Sequence, residues 1–259
     1  MAPGKLEGLV ALVTGASTGI GKSTAVAFAK EGAKVVVAAR REDKLKEVVD
    51  EIEAAGGQAV LVVGDVSKEA DCKKMVDTAV EKFGRLHVAF NNAGIFRPTT
   101  FADIAEGDID DLLNVNVKSL AFCFKYQIPA MAESAEGKGS IIVCTSSMAL
   151  RTPTATGMRS SGMYAASKAA AEMLMKYAAM EGAESGVRVN SVSPGHVETP
   201  IYGDMPIETL EAVTGITQLL SKPIQPQQIA KVVTFLASED AAMVTGSTYS
   251  MDGGWAIVA

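Results

Sequence analysis

Short runs of apolar and β-branched residues alternate with longer amphipathic stretches along this chain. Residues 9–14, 34–39, 59–63, 86–91, 140–145, 187–192 and 247–251 are almost continuously apolar, which predicts strands covered on both faces. Between them, residues 20–31, 42–55, 69–83, 108–131, 164–184 and 224–236 carry helical patterns, the fourth reading as one long helix. Gly32, Gly56-Gly57, Gly84 and Gly186 stand where helix C-termini need a residue tolerant of positive φ.

Strict alternation of strand and helix predicts an α/β fold, a Rossmann-like doubly wound parallel sheet of about seven strands with helices on both faces. No linker or internal repeat interrupts it, so residues 1–259 are expected to form a single domain. Residues 199–223 lack clear periodicity and contain Pro200, Pro206 and Pro223, which suits a substrate lid. Met205, Pro206, Ile207, Leu210, Leu219 and Leu220 would give that lid an apolar wall.

Composition narrows the function classes. Hydrophobic residues make up 48% of the 259 residues, enough for a large core, and the formal charge of −6 disfavours a nucleic-acid partner. No apolar stretch reaches the ~18 residues of a membrane helix, and residues 1–8 hold no apolar block followed by a cleavage site. Cys72, Cys123 and Cys144 are scattered without a C-x-x-C spacing, as buried free thiols of a reducing, cytoplasmic compartment would be. With only His87 and His196, multi-histidine metal chemistry is excluded and no metal is expected.

The turn after the first strand reads Thr14-Gly15-Ala16-Ser17-Thr18-Gly19-Ile20-Gly21. Glycines there let the backbone approach a pyrophosphate, and the following helix N-terminus offers unpaired N–H groups to it. The same residues also fit the Gly15-x-Ser17-x-Gly19 elbow of a hydrolase, with Ser17 as nucleophile and a later base such as His196. At the end of the second strand a carboxylate would favour NAD, but the chain reads Ala38-Ala39-Arg40-Arg41. Arg40 follows the uncharged Ala39 at once and suits the 2′-phosphate of NADP, so NADP(H) is favoured over NAD(H). Asp65-Val66 ends the third strand and would frame the adenine, and Asn91-Asn92-Ala93-Gly94 ends the fourth.

Tyr164 and Lys168 lie four apart, hence on one helix face. An ammonium beside a phenol favours the phenolate, making the pair a general acid/base near neutrality.

Taken in order, Thr14–Gly21, Asp65-Val66, Asn91–Gly94, Asn116, Ser147, Tyr164–Lys168 and Pro194-Gly195-x-Val197-x-Thr199 resemble the short-chain dehydrogenase/reductase family over nearly the whole chain. The resemblance implies an NAD(P)-dependent oxidoreductase interconverting a ketone and a secondary alcohol, often as a homotetramer or dimer. It implies that Tyr164 moves the substrate proton, Lys168 lowers its pKa and holds the nicotinamide ribose, Ser147 binds the substrate oxygen, and Asn116 anchors a relay water. Gly15, Ser17, Thr18, Gly19, Ile20, Gly21, Asn92, Ala93 and Gly94 would line the cofactor, with Pro194, Gly195, Val197 and Thr199 at its nicotinamide end. A 3-oxoacyl thioester, a steroid or cyclic ketone, or a sugar could be the substrate.

The chain departs from the family pattern in places. Ser147 stands 17 residues before Tyr164, a long interval that makes residues 154–162 an insertion. Ser147 is chosen over the adjacent Ser146 by aligning Met148-Ala149, and Ser160 and Ser161 read as caps of the next helix. His87 replaces an Asp usual in the family and reads as a surface or capping substitution, while His196 sits at a variable position of the Pro-Gly motif where it can meet substrate. Besides the enzyme, a catalytically silent dinucleotide-binding regulator and a Ser17 hydrolase are the competing readings.

Overall fold

The computed structural model describes residues 3–134, 139–152 and 160–257. Of the expected insertion, residues 154–159 lie outside them.

Seven strands form one parallel sheet in the order β3-β2-β1-β4-β5-β6-β7. They are β1 (Val10–Thr14), β2 (Lys34–Ala39), β3 (Gln58–Val63), β4 (Val88–Asn91), β5 (Ser140–Cys144), β6 (Arg188–Pro194) and β7 (Thr248–Met251). The helices are α1 (Gly19–Lys30), α2 (Glu42–Ala54), α3 (Glu69–Phe83), α4 (Glu106–Leu113), α5 (Ser119–Ser134), α6 (Gly162–Ala183), α7 (Ile207–Thr217) and α8 (Pro226–Ala237).

Successive side chains of a strand point to opposite faces, and β1 supplies both cores. Ala11 and Val13 join Phe28 of α1, Leu45, Val48 and Ile52 of α2, and Ile229, Val233 and Leu236 of α8. Val10 and Leu12 join Met75, Val76 and Ala79 of α3, Leu120, Cys123 and Met131 of α5, and Ala171 and Met175 of α6. The strand order reverses between β1 and β4, which leaves a crevice at their carboxyl ends.

Two sequence expectations are revised and one is narrowed. The helix expected over residues 108–131 is α4 and α5 joined by a π-helical segment, Asn114–Lys118. The periodicity of a π turn differs from α by one residue, too little to register in the hydrophobic pattern. The aperiodic stretch 199–223 contains a helix, α7, whose buried positions are Leu210, Thr214 and Thr217. Two of the three are threonines, which hide the apolar stripe in sequence; their hydroxyls are satisfied by the carbonyls of Leu210 and Val213 one turn earlier. Finally, of the surface and capping readings of His87 the structure keeps the second: the residue is buried, and its Nδ1 accepts the Val10 N–H at 2.9 Å, capping the open start of β1.

Phe28 is fully buried between the sheet and the helices on its face. Phe28→Ala should lower the unfolding free energy by about 3–5 kcal/mol. Urea denaturation of the two proteins checks this, with an unchanged midpoint as the contrary result.

Candidate active site

The glycine turn leaves β1 at Thr14 and enters α1 at Gly19, with Gly15 at φ 64° and Gly19 at φ 56°. Both angles lie in the left-handed region that glycine adopts without strain. Gly21 is required by space instead: a Cβ there would stand 2.2 Å from the Gly15 carbonyl oxygen. The turn is locked to the end of β4. Thr14 Oγ1 accepts the N–H groups of Asn92 at 3.1 Å and Ala93 at 3.2 Å. Asn92 Nδ2 in return donates to the carbonyls of Thr14 and Gly15 at 3.1 and 3.2 Å. Thr18, the residue before α1, makes no side-chain cap, so the first N–H groups of α1 are not closed by its own chain.

Along this turn runs a groove of about 380 Å³. Gly15, Ser17, Thr18, Gly19, Ile20, Arg40, Asp65, Val66, Asn92, Ala93, Gly94 and Thr199, all expected from sequence, line it. Sequence reasoning passed over Arg41, which also lines it and reaches the turn: one guanidinium nitrogen donates to Ser17 Oγ at 3.1 Å and to Thr18 Oγ1 at 3.3 Å. Two consecutive arginines left nothing in the sequence to tell which would turn inward. Burial pushes the Asp65 carboxyl upward, but the Ser67 N–H and hydroxyl and the charges of Arg40 and Lys68 outweigh it and hold the group below its ordinary value. Glycines packed too closely for a Cβ, an uncapped helix start and two arginines make this groove fit a phosphorylated dinucleotide.

The groove meets a second cavity of about 110 Å³, and Ile20, Asn92, Gly94 and Thr199 line both. Ser147, Tyr164, Lys168, Pro194, Gly195 and Val197 stand in the cavity wall, where sequence reasoning expected chemistry. So do Phe96, Met148, Ile201, Tyr202 and Trp255, which it did not single out. None of the six apolar residues expected to form the lid wall lines this cavity: Leu210 is buried under α7, and Met205, Ile207, Leu219 and Leu220 are exposed.

Asn116 belongs to the π segment and is buried. Its amide binds the Ile95 backbone from both ends, accepting the N–H at 2.9 Å and donating to the carbonyl at 3.0 Å. Nδ2 also donates to Ser167 Oγ, whose proton goes to the Tyr164 carbonyl at 2.7 Å. The π turn is thereby pinned to both the β4 loop and the helix that carries Tyr164.

Tyr164 and Lys168 are both buried on α6. The Lys168 ammonium donates to the Cys144 carbonyl at 2.9 Å and lies 6.0 Å from the Tyr164 ring centroid. Burial pushes the Tyr164 phenol well above its ordinary value, opposed by a hydrogen bond with the Ser146 hydroxyl. Burial also lowers the Lys168 pKa. Expected from sequence was a phenol lowered by Lys168; within the chain itself desolvation dominates, because the ammonium is turned to a backbone carbonyl. Phe96 packs edge-on against Tyr164, with centroids 4.9 Å apart.

The two adjacent serines differ in what they face. Ser147 Oγ donates to the Pro194 carbonyl at 3.0 Å, tying the end of β5 to the end of β6. Ser146 is the serine that meets the Tyr164 phenol. Ser147, the serine expected from aligning Met148-Ala149, and Ser146 both line the cavity, their side chains taking different directions after the strand.

Among the described residues Ser17 has no base hydrogen-bonded to it, as a hydrolase would require. Its hydroxyl accepts from Arg41, and the ring of His196 is hydrogen-bonded to Tyr202 in the other cavity. Among the described residues no cluster of His, Cys, Asp and Glu could hold a metal ion, and no helix is long and apolar enough to cross a membrane.

Gly21→Ala should abolish dinucleotide binding, since the added methyl must displace the Gly15 carbonyl or Asn92. Calorimetric titration with NADPH reads this, and unchanged affinity would contradict the role given to the turn.

A family model described as Enoyl-(Acyl carrier protein) reductase matches residues 15–256. Cyclohexanol dehydrogenase of Acinetobacter sp. (strain SE19) is 37% identical over 254 residues, covering 97% of this chain and 96% of that protein. The 2,5-dichloro-2,5-cyclohexadiene-1,4-diol dehydrogenase of Sphingobium indicum is 38% identical over 253 residues, covering 98% of each. A solved short-chain type dehydrogenase/reductase from Mycobacterium marinum superposes with a TM-score of 0.91 at 33% identity, covering 98% of both chains. With the seven-stranded parallel sheet and the glycine groove, these matches place the chain in the short-chain dehydrogenase/reductase family, oxidoreductases that use NAD(P)(H).

Proposed function

We propose that this protein interconverts a ketone and a secondary alcohol on a compact ring substrate, using NADP(H), with Tyr164 as general acid/base. The observation that carries the reading is the junction of the two cavities: the groove fit for a dinucleotide opens beside the buried Tyr164 and Lys168. When bound, the nicotinamide supplies or takes up the hydride. In reduction the Tyr164 hydroxyl gives its proton to the carbonyl oxygen; in oxidation the phenolate takes it from the alcohol. Ser146 hydrogen-bonds the same phenol and is the hydroxyl assigned to the substrate oxygen, while Ser147 braces the Pro194 turn. Lys168 holds the ribose and supplies positive charge near the phenol, and Asn116, bonded directly to Ile95 and Ser167, stands beside the path assigned to a relay water.

The cavity of about 110 Å³ supports a single-ring substrate over a steroid, since an apolar cavity of ~150 Å³ accommodates benzene. The names of two relatives, both dehydrogenases of six-membered ring alcohols, agree with this size. Arg40 and Arg41 in the groove, with Ala39 where a carboxylate would favour NAD, support NADP. Met173, Tyr177 and Met180 are exposed along α6 at helical spacing, an apolar stripe suited to a second copy of the chain in a homodimer or homotetramer. The three buried free thiols suit the cytoplasm.

Purified protein should oxidise NADPH in the presence of cyclohexanone, and Tyr164→Phe should remove at least about a thousandfold of kcat. Full activity in Tyr164→Phe would overturn the mechanism. NADPH binding without turnover across a panel of ring, acyl and sugar carbonyls would point to the silent regulator instead. Because burial holds the phenol protonated, oxidation of the alcohol should accelerate as pH rises through the Tyr164 titration, while reduction slows. Ser146→Ala should cost more kcat than Ser147→Ala, and the reverse order would restore Ser147 as the substrate-binding hydroxyl.

Arg40→Ala and Arg41→Ala should each weaken NADPH roughly tenfold or more while sparing NADH, consistent with loss of a charge-assisted phosphate contact. Equal losses for both cofactors in titration calorimetry would remove the phosphate assignment. Met180→Lys should shift the molar mass seen by light scattering towards a smaller species, and an unchanged mass would place the interface elsewhere.

A further inference from the structure

After β7 the chain returns to the cavity, and the residue it brings there is its single tryptophan. Trp255 lines the cavity wall and is buried. Two glycines in the left-handed region, Gly253 at φ 60° and Gly254 at φ 86°, turn the backbone just before it. The Asp252 carboxylate fixes that turn by accepting the N–H groups of Gly254 and Ala256, both at 2.9 Å. The Trp255 N–H itself donates to the Asp252 carbonyl at 3.1 Å. From the catalytic side, Arg151 follows the short turn Ser147–Ala149, and its Nη1 donates to the Ala256 carbonyl at 3.1 Å.

The backbone is therefore tied on both sides of Trp255, which leaves the indole little freedom to swing away. It packs with Leu112, Met148 and Tyr164 and lies 6.1 Å from the His196 ring. Met148, Tyr164 and His196 line the same cavity, so the indole fills space that would otherwise extend a volume of about 110 Å³. A close-packed wall of this kind does not yield to a larger ligand without cost. Phe96, another large ring of the wall, also lines the dinucleotide groove, whereas Trp255 lines the cavity alone. Its bulk bears on the substrate and not on the cofactor.

We infer that Trp255 sets the upper size limit of the substrate, admitting one ring and excluding fused bicyclic ketones. This rests on the reading of the protein as a ring-carbonyl oxidoreductase and deepens it by naming the side chain that selects. The exclusion is steric: the second ring of a bicyclic ketone and the indole compete for one space. Truncating the indole leaves an apolar void next to Tyr164, and a void of that kind takes up an apolar ring.

The test compares kcat/KM for 2-decalone and cyclohexanone with NADPH. The wild-type protein should favour cyclohexanone. In Trp255→Ala the ratio of decalone to cyclohexanone should rise about tenfold or more, within the range that a few methylenes command in an apolar pocket. Trp255→Leu keeps part of the bulk and should raise the ratio less; it is the decisive variant if Trp255→Ala does not fold. Loosened packing against Tyr164 lowers both rates and cancels in the ratio, so a relative gain on the larger ketone reports the space itself. Ile257→Ala, in the same tail but exposed and off the cavity wall, should leave the ratio unchanged. A ratio within twofold of wild type in the folded Trp255→Ala, or in Trp255→Leu where that variant replaces it, overturns the assignment of Trp255 and leaves the oxidoreductase reading standing. An equal rise in Ile257→Ala, or a wild type that reduces both ketones equally well, overturns it in the same way. No turnover of either ketone by the wild type overturns the ring-carbonyl reading and this inference with it.

Discussion

The site depends on the lock between the loops that end β1 and β4. Thr14-Gly15 and Asn92-Ala93 are joined by four hydrogen bonds across the point where the strand order reverses. Every open parallel sheet of this order leaves a crevice there, but a crevice between two loops has no fixed width. The exchange sets it. Gly15 and Gly21 are what permit the closeness, because a Cβ on either would collide with Asn92 at 2.8 and 2.6 Å. The N–H groups at the start of α1, the Asn92-Ala93-Gly94 wall and the first residues of the β4 loop are therefore placed together by this one lock.

From that lock a second chain of contacts carries position to the reacting groups. The β4 loop continues to Ile95, whose backbone is held at both polar ends by Asn116 in the π turn. Asn116 reaches Ser167, and Ser167 the Tyr164 carbonyl. An added residue in a helix costs regular hydrogen bonding and persists where the surroundings demand it. Here it turns one buried amide towards two elements at once. The placement of Tyr164 thus follows from the glycine turn through a short series of fully satisfied polar groups, the kind of support that keeps a site rigid.

This division explains what could be read from the amino-acid order. The strands and the helices that flank them are spelled in continuous apolar runs and in Gly32, Gly56, Gly84 and Gly186, all of which take positive φ. The glycine turn, Tyr164 and Lys168 were equally plain, since backbone geometry and helical spacing restrict which residue types can serve. Features that depend on side-chain direction were not. Ser146 and Ser147, or Arg40 and Arg41, are chemically alike neighbours that both reach a cavity wall, and only the local turn decides what each side chain bonds to. The helix α7 was hidden because threonines occupy its buried face, and the surface and capping readings of His87 both stayed open because a histidine capping the Val10 N–H looks no different in sequence from a surface one.

The same contrast separates the two sides of the cavity. Tyr164, Lys168, Ser146 and Ser147, the side to which we assign the chemistry, come from α6 and the residues after β5, elements anchored in the sheet. The opposite side comes from the Pro-Gly turn, the short helical turn Pro200–Tyr202 and Trp255. Gln218 joins the first and the last of these: it accepts the His196 N–H, donates to the Leu220 and Lys222 carbonyls, and packs under Gly253. Asp252 then folds the tail by accepting the N–H groups of Gly254 and Ala256 on either side of Trp255. Substitutions in this outer frame can reshape the cavity without touching Tyr164 and Lys168, because the two sets of residues are held by different parts of the chain. A fold built this way keeps its chemistry while its pocket varies.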